Sequence, residues 1–114
     1  MSGNTSKKIA FNYFGGKFSW LDHLYDYFPS EFIHLVDVFG GSFAVTLNYE
    51  GKVVKTANEI NSNINNFFEV LRNHESDLLQ LLELTPCSKE EYDRCWELAP
   101  DKIEAARRFY VRLR

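Results

Sequence analysis

Three prolines, two cysteines and one methionine are all that this 114-residue chain holds of those types. Cys87 and Cys95 match neither a CxxC pair nor a disulfide framework, so ordinary reduced thiols are expected. No His, Cys or acid pair has zinc spacing, and no metal is expected. No apolar run approaches the roughly 20 residues that span a bilayer. The N-terminus, Met1-Ser2-Gly3-Asn4-Thr5-Ser6-Lys7-Lys8, lacks the apolar segment of a secretory signal. Together these absences predict a cytoplasmic protein with no membrane association. Positive charge is also short: the net charge is −3, without the basic excess of a whole nucleic-acid-binding protein. The one basic concentration, Arg107, Arg108, Arg112 and Arg114, reads as a solvated helix face.

What is present is apolar and aromatic. Hydrophobic residues make up 45% of the chain, with ten Phe and six Tyr, enough for a core and too many for a disordered tail. Residues 1–8 read as a flexible start. After the glycines at 15 and 16, Ser19 with Asp22 reads as a capping box, and Leu21, Leu24, Tyr25 and Phe28 recur at helical spacing until Pro29. Residues 32–39 are nearly continuously apolar and predict a strand buried on both faces. A short helix over 42–48, ended by Gly51, and a second strand over 53–57 complete a right-handed crossover unit. The remainder reads as helix. Stripes run through Ile64, Phe67, Phe68 and Leu71, then Leu78, Leu79, Leu81, Leu82 and Leu84. Ser88 with Glu91 forms a second capping box ahead of Tyr92, Cys95 and Trp96, and a last helix after Pro100-Asp101 carries Ile103, Ala106, Phe109, Tyr110 and Leu113. Trp20 and Trp96 are expected in the core, His23 and His74 on solvated faces, and His34 at a strand edge.

The chemistry concentrates in two turns. Asp37-Val38-Phe39-Gly40-Gly41-Ser42-Phe43 leaves the first strand, and Glu59 comes after the second. Glycine permits a tight turn and brings backbone N–H groups near a ligand. An acid after the second strand is placed to accept from a ribose diol. A dinucleotide loop would read G-x-G-x-x-G; here Gly40-Gly41 is followed by Ser42, Phe43, Ala44 and Val45, which argues against NAD or FAD. The other turn is Tyr13-Phe14-Gly15-Gly16-Lys17. A phosphate loop would need Gly at position 11 and Ser or Thr at 18, where Phe11 and Phe18 stand. What remains is an aromatic and a cation, able to hold a carboxylate and to cover an apolar or sulfonium group.

In combination, the Tyr13–Lys17 turn, the capped helix, the Asp37-x-Phe39-x-Gly41 strand-turn and Asn58-Glu59-Ile60-Asn61 resemble the N-terminal part of Dam-type adenine-specific DNA methyltransferases. The likeness runs from about residue 11 to about 73 and resumes at Tyr92 and at 106–113. The resemblance implies an α/β fold: the N-terminal part of a Rossmann-like domain, parallel strands flanked by helices, followed by a helical segment. It implies S-adenosylmethionine as cofactor, double-stranded DNA as the partner of the full-length parent, methyl transfer to adenine N6, and a setting such as restriction-modification. Cofactor-binding residues carried over are Tyr13, beside the methionine end; Gly15, Gly16 and Lys17, with Lys17 near the carboxylate; Asp37, Phe39, Gly40 and Gly41; Glu59 on the ribose; and Ile60 on adenine. Val38 stands where the family has Pro, and Phe43 where it has its last Gly. The family's catalytic Asp-Pro-Pro-Tyr, which holds the flipped adenine, does not occur around Pro29, Pro86 or Pro100.

The chain is therefore expected to be an N-terminal piece with no catalytic residue of its own. Residues 9–73 would form a partial cofactor-binding unit, and 74–114 a helical segment leading toward a target-recognition region. The rival readings are a nucleotide-dependent oxidoreductase fragment and a non-catalytic cofactor- or protein-binding module.

Overall fold

A computed structural model describes residues 7–13 and 16–113. It divides into two compact units, Met1–Glu59 and Ile60–Arg114.

The first unit is mixed α/β. A 3₁₀ turn, Phe18–Trp20, leads into α1, Leu21–Asp26. The cap is Trp20, with no side-chain bond, so the expected Ser19–Asp22 capping box does not form; Asp22 pairs instead with Lys7 at 2.7 Å. Leu21, fully buried, packs with Ala44 and Val45, and Phe18, Leu24, Tyr25 and Phe28 close around them. Every residue of the predicted α1 stripe thus serves the packing that its spacing implies, and α1 ends before Pro29. Tyr25 extends the cluster through edge contacts with Phe28 and Tyr49, and its hydroxyl donates to the Val45 carbonyl at 2.8 Å. Burial pushes the pKa of the Tyr25 hydroxyl up to about 12.

Strands β1, His34–Asp37, and β2, Val54–Ala57, pair in parallel, with His34 opposite Val54 and Asp37 opposite Ala57. Between them lies α2, Ala44–Asn48. The strand–helix–strand order is the expected one, but β1 is shorter than 32–39 and is not buried on both faces. Val36 is 52% exposed and Val54 64% exposed, whereas Asp37 is buried. Continuous apolarity is ambiguous about which faces are covered, and two strands alone cannot cover each other's faces. His34 sits exposed, sharing a 2.7 Å hydrogen bond with Thr56 across the pair. Asn48 closes α2 by donating to the Ala44 carbonyl, a role expected of Gly51.

The second unit is helical: α3 Ser62–Asn73, α4 Glu75–Glu83, α5 Lys89–Arg94 and α6 Lys102–Leu113. Asn61 caps α3 by accepting from the Asn63 amide, and Asp101 starts α6 by accepting from the Glu104 amide at 2.8 Å. Helices α3 and α6 pack together; Ile64, Phe67 and Val70 of α3 and Ala106, Phe109 and Val111 of α6 are buried, and the Phe67 and Tyr110 rings stack at 5.9 Å. Of the leucine stripe on α4 only Leu78 is buried; Leu79, Leu81 and Leu84 are exposed. Ser88 accepts from the Glu91 amide at 3.1 Å, so half of the second capping box forms. The Glu91 carboxylate turns elsewhere, to Arg107 at 2.7 Å and Arg94 at 3.1 Å.

Two further expectations are corrected by this packing. Trp20 and Trp96 are surface residues, 60% and 63% exposed. Their helical spacing matches the core stripes, but Trp20 precedes the first turn of a short helix and Trp96 comes after the last turn of another, where a face is easily left open. The described arginines of the basic concentration form no solvated face either, and Arg114 lies outside the described residues. Arg107 is buried and bonds Glu91, Glu104 and Thr85; Arg108 bonds Glu104 and the carbonyls of Glu97 and Leu98. Arg112 donates to the Cys95 carbonyl and lies over the Trp96 ring, 5.2 Å from its centroid. Burial pushes the Cys95 thiol up, and it stays an inert core group.

Candidate functional site

At the carboxyl ends of β1 and β2 the two strands are tied beyond their last paired residues. The Asn58 amide donates to the Asp37 carbonyl at 2.7 Å, and the Gly40 amide donates to the Asn58 carbonyl at 2.9 Å. The Asn58 side chain adds a bond to the Val38 carbonyl at 2.9 Å. The segment 37–40 is thus held against 58 by three bonds. Asn58 is not among the candidate site residues read from sequence, although its place directly after a predicted strand and before an acid is a usable signal.

This clamp sets the course of the turn beyond it. Gly41 has φ +56°, a conformation open to glycine at little cost, and its amide points to Glu59, donating to Oε1 at 2.8 Å. Asp37 is buried; its carboxylate accepts from the Thr46 hydroxyl at 3.3 Å and lies 4.0 Å from Lys17 Nζ. Lys17 Nζ also donates to the Phe39 carbonyl at 2.9 Å. Tyr13 comes to the same place: a side chain on Gly41 would press to 3.2 Å of the Tyr13 ring. Gly16 closes the Tyr13 turn with its amide on the Tyr13 carbonyl at 2.8 Å.

The fold therefore brings Tyr13, Lys17, Asp37, Phe39, Gly40, Gly41 and Glu59 to one end of the parallel pair. Phe39 presents its side chain openly there, 77% exposed. Gly16 belongs to the turn before Lys17, and Gly15 lies outside the described residues. Ile60 begins the second unit and is 93% exposed.

The charge pattern of this end is one cation, Lys17, and two anions, Asp37 and Glu59. The anions are held differently. Asp37 is buried and paired, while Glu59 is partly exposed and braced by a backbone amide. Among the described residues no group of three or more His, Cys, Asp or Glu is arranged around a metal-sized position. No helix among them is long and apolar enough to cross a membrane.

A sequence model for the D12 class N6 adenine-specific DNA methyltransferases matches residues 13–112. The chain belongs to this family. The match spans both units, including the β1–β2 end and the α6 helix. No curated protein matches the chain. The Dam-type resemblance read from the sequence is borne out as family membership. What the D12 family implies is adenine-specific methylation of DNA by a methyltransferase. The two-stranded parallel sheet and its helices agree with a mixed α/β piece of such an enzyme.

A groove of about 440 Å³ lies wholly in the second unit, lined among others by Asp77, Gln80, Leu81, Asp101, Glu104 and Arg108. It shares no residue with the β1–β2 end. Its one arginine is committed to Glu104 and two backbone carbonyls.

Proposed function

We propose that the carboxyl end of β1 and β2 is the S-adenosylmethionine site of a DNA adenine N6-methyltransferase that acts on double-stranded DNA. The observation that carries this reading is the convergence of Lys17, Asp37 and Glu59, far apart in sequence, on one end of a parallel strand pair. Ligands of open α/β sheets bind at that end.

The donor set fits the group. S-adenosylmethionine carries two cations, the sulfonium and the ammonium, and one carboxylate. The site carries the complement, two carboxylates and one ammonium. Lys17 would meet the ligand carboxylate, and Asp37, buried and rigid, would favour its ammonium. Glu59 would accept from the ribose hydroxyls, held in place by the Gly41 amide. Tyr13 and Phe39 would supply the apolar and aromatic contact. When bound, the cofactor supplies an electrophilic methyl group. The work of these side chains is to hold and orient it, since catalysis of such a transfer is mostly positioning.

In the same reading, residues 9–73 supply cofactor binding and 74–114 lead toward target recognition, in a Rossmann-like parent. The 114 residues contain no Asp-Pro-Pro-Tyr. The adenine amine then has no holder in this chain, and the chain alone transfers no methyl group.

Calorimetry tests the site. The chain is titrated with S-adenosylhomocysteine and, separately, with NADH. Binding of the first and not the second is expected. Binding of NADH alone would overturn the S-adenosylmethionine assignment of this site. Incubation with tritiated S-adenosylmethionine and duplex DNA tests the second half: counts in adenine above blank would overturn the claim of inactivity.

A further inference from the structure

Phe43 stands where glycine would cost least. Its backbone is left-handed, φ 59° and ψ 27°, and it is the one non-glycine residue of positive φ among those described. A bulky aromatic there is a steric outlier. It is nonetheless held on both sides: its amide donates to the Gly40 carbonyl at 2.7 Å, and its carbonyl accepts from the Leu47 amide at 2.9 Å.

The ring explains Gly40. A Cβ built on Gly40 would clash with the edge of the Phe43 ring, at Cε1 and Cδ1. The space opened by the missing side chain of Gly40 is therefore filled by this chain's own Phe43. Glycine in a nucleotide turn ordinarily leaves that space for a ligand to approach the backbone.

Resting on the cofactor site proposed above, we propose that Phe43 determines ligand access to this turn: its ring occupies the Gly40 face, and S-adenosyl ligands bind with the ring rotated away. The backbone bonds of Phe43 need not break for this. Rotation about χ1 carries the ring between staggered positions while φ and ψ stay fixed. Free chain with the ring seated is binding-incompetent, so apparent affinity falls by the fraction of molecules with the ring out.

Two variants separate the ring from the backbone. Phe43→Ala removes the ring and keeps a side chain at the left-handed position; Phe43→Gly also releases the backbone. Calorimetry of the 114-residue chain with S-adenosylhomocysteine should show both variants binding about tenfold tighter than wild type, as for a competent state populated on the order of a tenth of the time. Binding by all three at equal affinity, or weaker binding by the variants, overturns the proposal and leaves the cofactor site standing. Binding by none of the three overturns both. A second measurement needs no variant. The Phe43 ring current should displace the Gly40 Hα resonances from ordinary glycine values in free wild-type chain, and saturating S-adenosylhomocysteine should return them toward those values. Ordinary shifts in the free chain, or shifts that the ligand leaves unmoved, overturn the proposal.

Discussion

The amide of Gly41 donates to Glu59 Oε1 at 2.8 Å, joining two residues 18 apart in sequence and fixing the acid at the end of the strand pair. The bond gives Glu59 two separable duties, bracing the turn and presenting charge. Glu59→Gln keeps an acceptor oxygen for Gly41 and loses the charge. Glu59→Ala loses both. Chemical denaturation should show Glu59→Ala destabilised by about 2 kcal/mol, the worth of a hydrogen bond to a charged group, and Glu59→Gln by about half of that. Both should lose most S-adenosylhomocysteine affinity. A glutamine variant with wild-type affinity would remove the charge from the ribose-binding role.

Lys17 offers a milder test. Its ammonium holds the Phe39 carbonyl at 2.9 Å and stands 4.0 Å from Asp37, with about two-fifths of its side chain open to solvent. Lys17→Met keeps the stem and removes the charge. A stability loss under about 1 kcal/mol is expected, because a half-exposed pair is weak. The affinity loss for S-adenosylhomocysteine should be larger than that, and should shrink for a ligand lacking the carboxylate. Equal losses for both ligands would take Lys17 off the carboxylate.

In the second unit the Arg107–Glu91 pair, 2.7 Å apart and nearly fully buried, makes a sharper demand. Arg107→Met leaves the buried Glu91 carboxylate with the more exposed Arg94 as its remaining ion-pair partner among the described residues, and a loss of about 3 kcal/mol, the low end for breaking a buried pair, is expected. The double variant Arg107→Met with Glu91→Gln should recover part of it. Amide hydrogen exchange on α6 is the readout. If the double variant is as unstable as the single one, the charge left behind is not what costs stability.

Glu104 ties that pair to pH. Hydrogen bonds from Arg107 hold its carboxyl below the ordinary 4.5, against a burial effect that opposes them, with Arg108 adding to the lowering. A carboxyl lowered by folding stabilises the fold above its unfolded value, and that stabilisation is lost as pH falls through the lower folded value. Protection of α6 amides should hold at neutral pH and decline below about pH 4.5. Glu104→Gln should flatten this decline while lowering protection at neutral pH. An unchanged pH profile in the variant would assign the acid sensitivity to another carboxylate.

Much of this molecule is legible without coordinates. The strand–helix–strand order, the α1 stripe through Leu21 and Leu24, the cap at Ser88 and the helix start after Pro100-Asp101 rest on local spacing, and local spacing survives into the fold. Turn chemistry also singles out Tyr13, Lys17, Asp37, Gly41 and Glu59, and the fold gathers these residues at one end of the strand pair. The failures share a cause. Trp20, Trp96, Val36 and Leu84 are apolar and in pattern, yet exposed, because a pattern states which side chains could be buried and not whether a partner face arrives. Arg107 is charged and in a basic run, yet buried, because its partners Glu91 and Thr85 come from elsewhere in the chain.

The family, the parallel strand pair and the charged set at its end are thus written in the order of the residues, since they rest on residue types at fixed short spacings. How that set is braced is a matter of three-dimensional packing. Asn58 clamps the strand ends, Gly41 aims Glu59, and the Phe43 ring fills the space beside Gly40, because each of these depends on where a backbone turns and which atoms then meet.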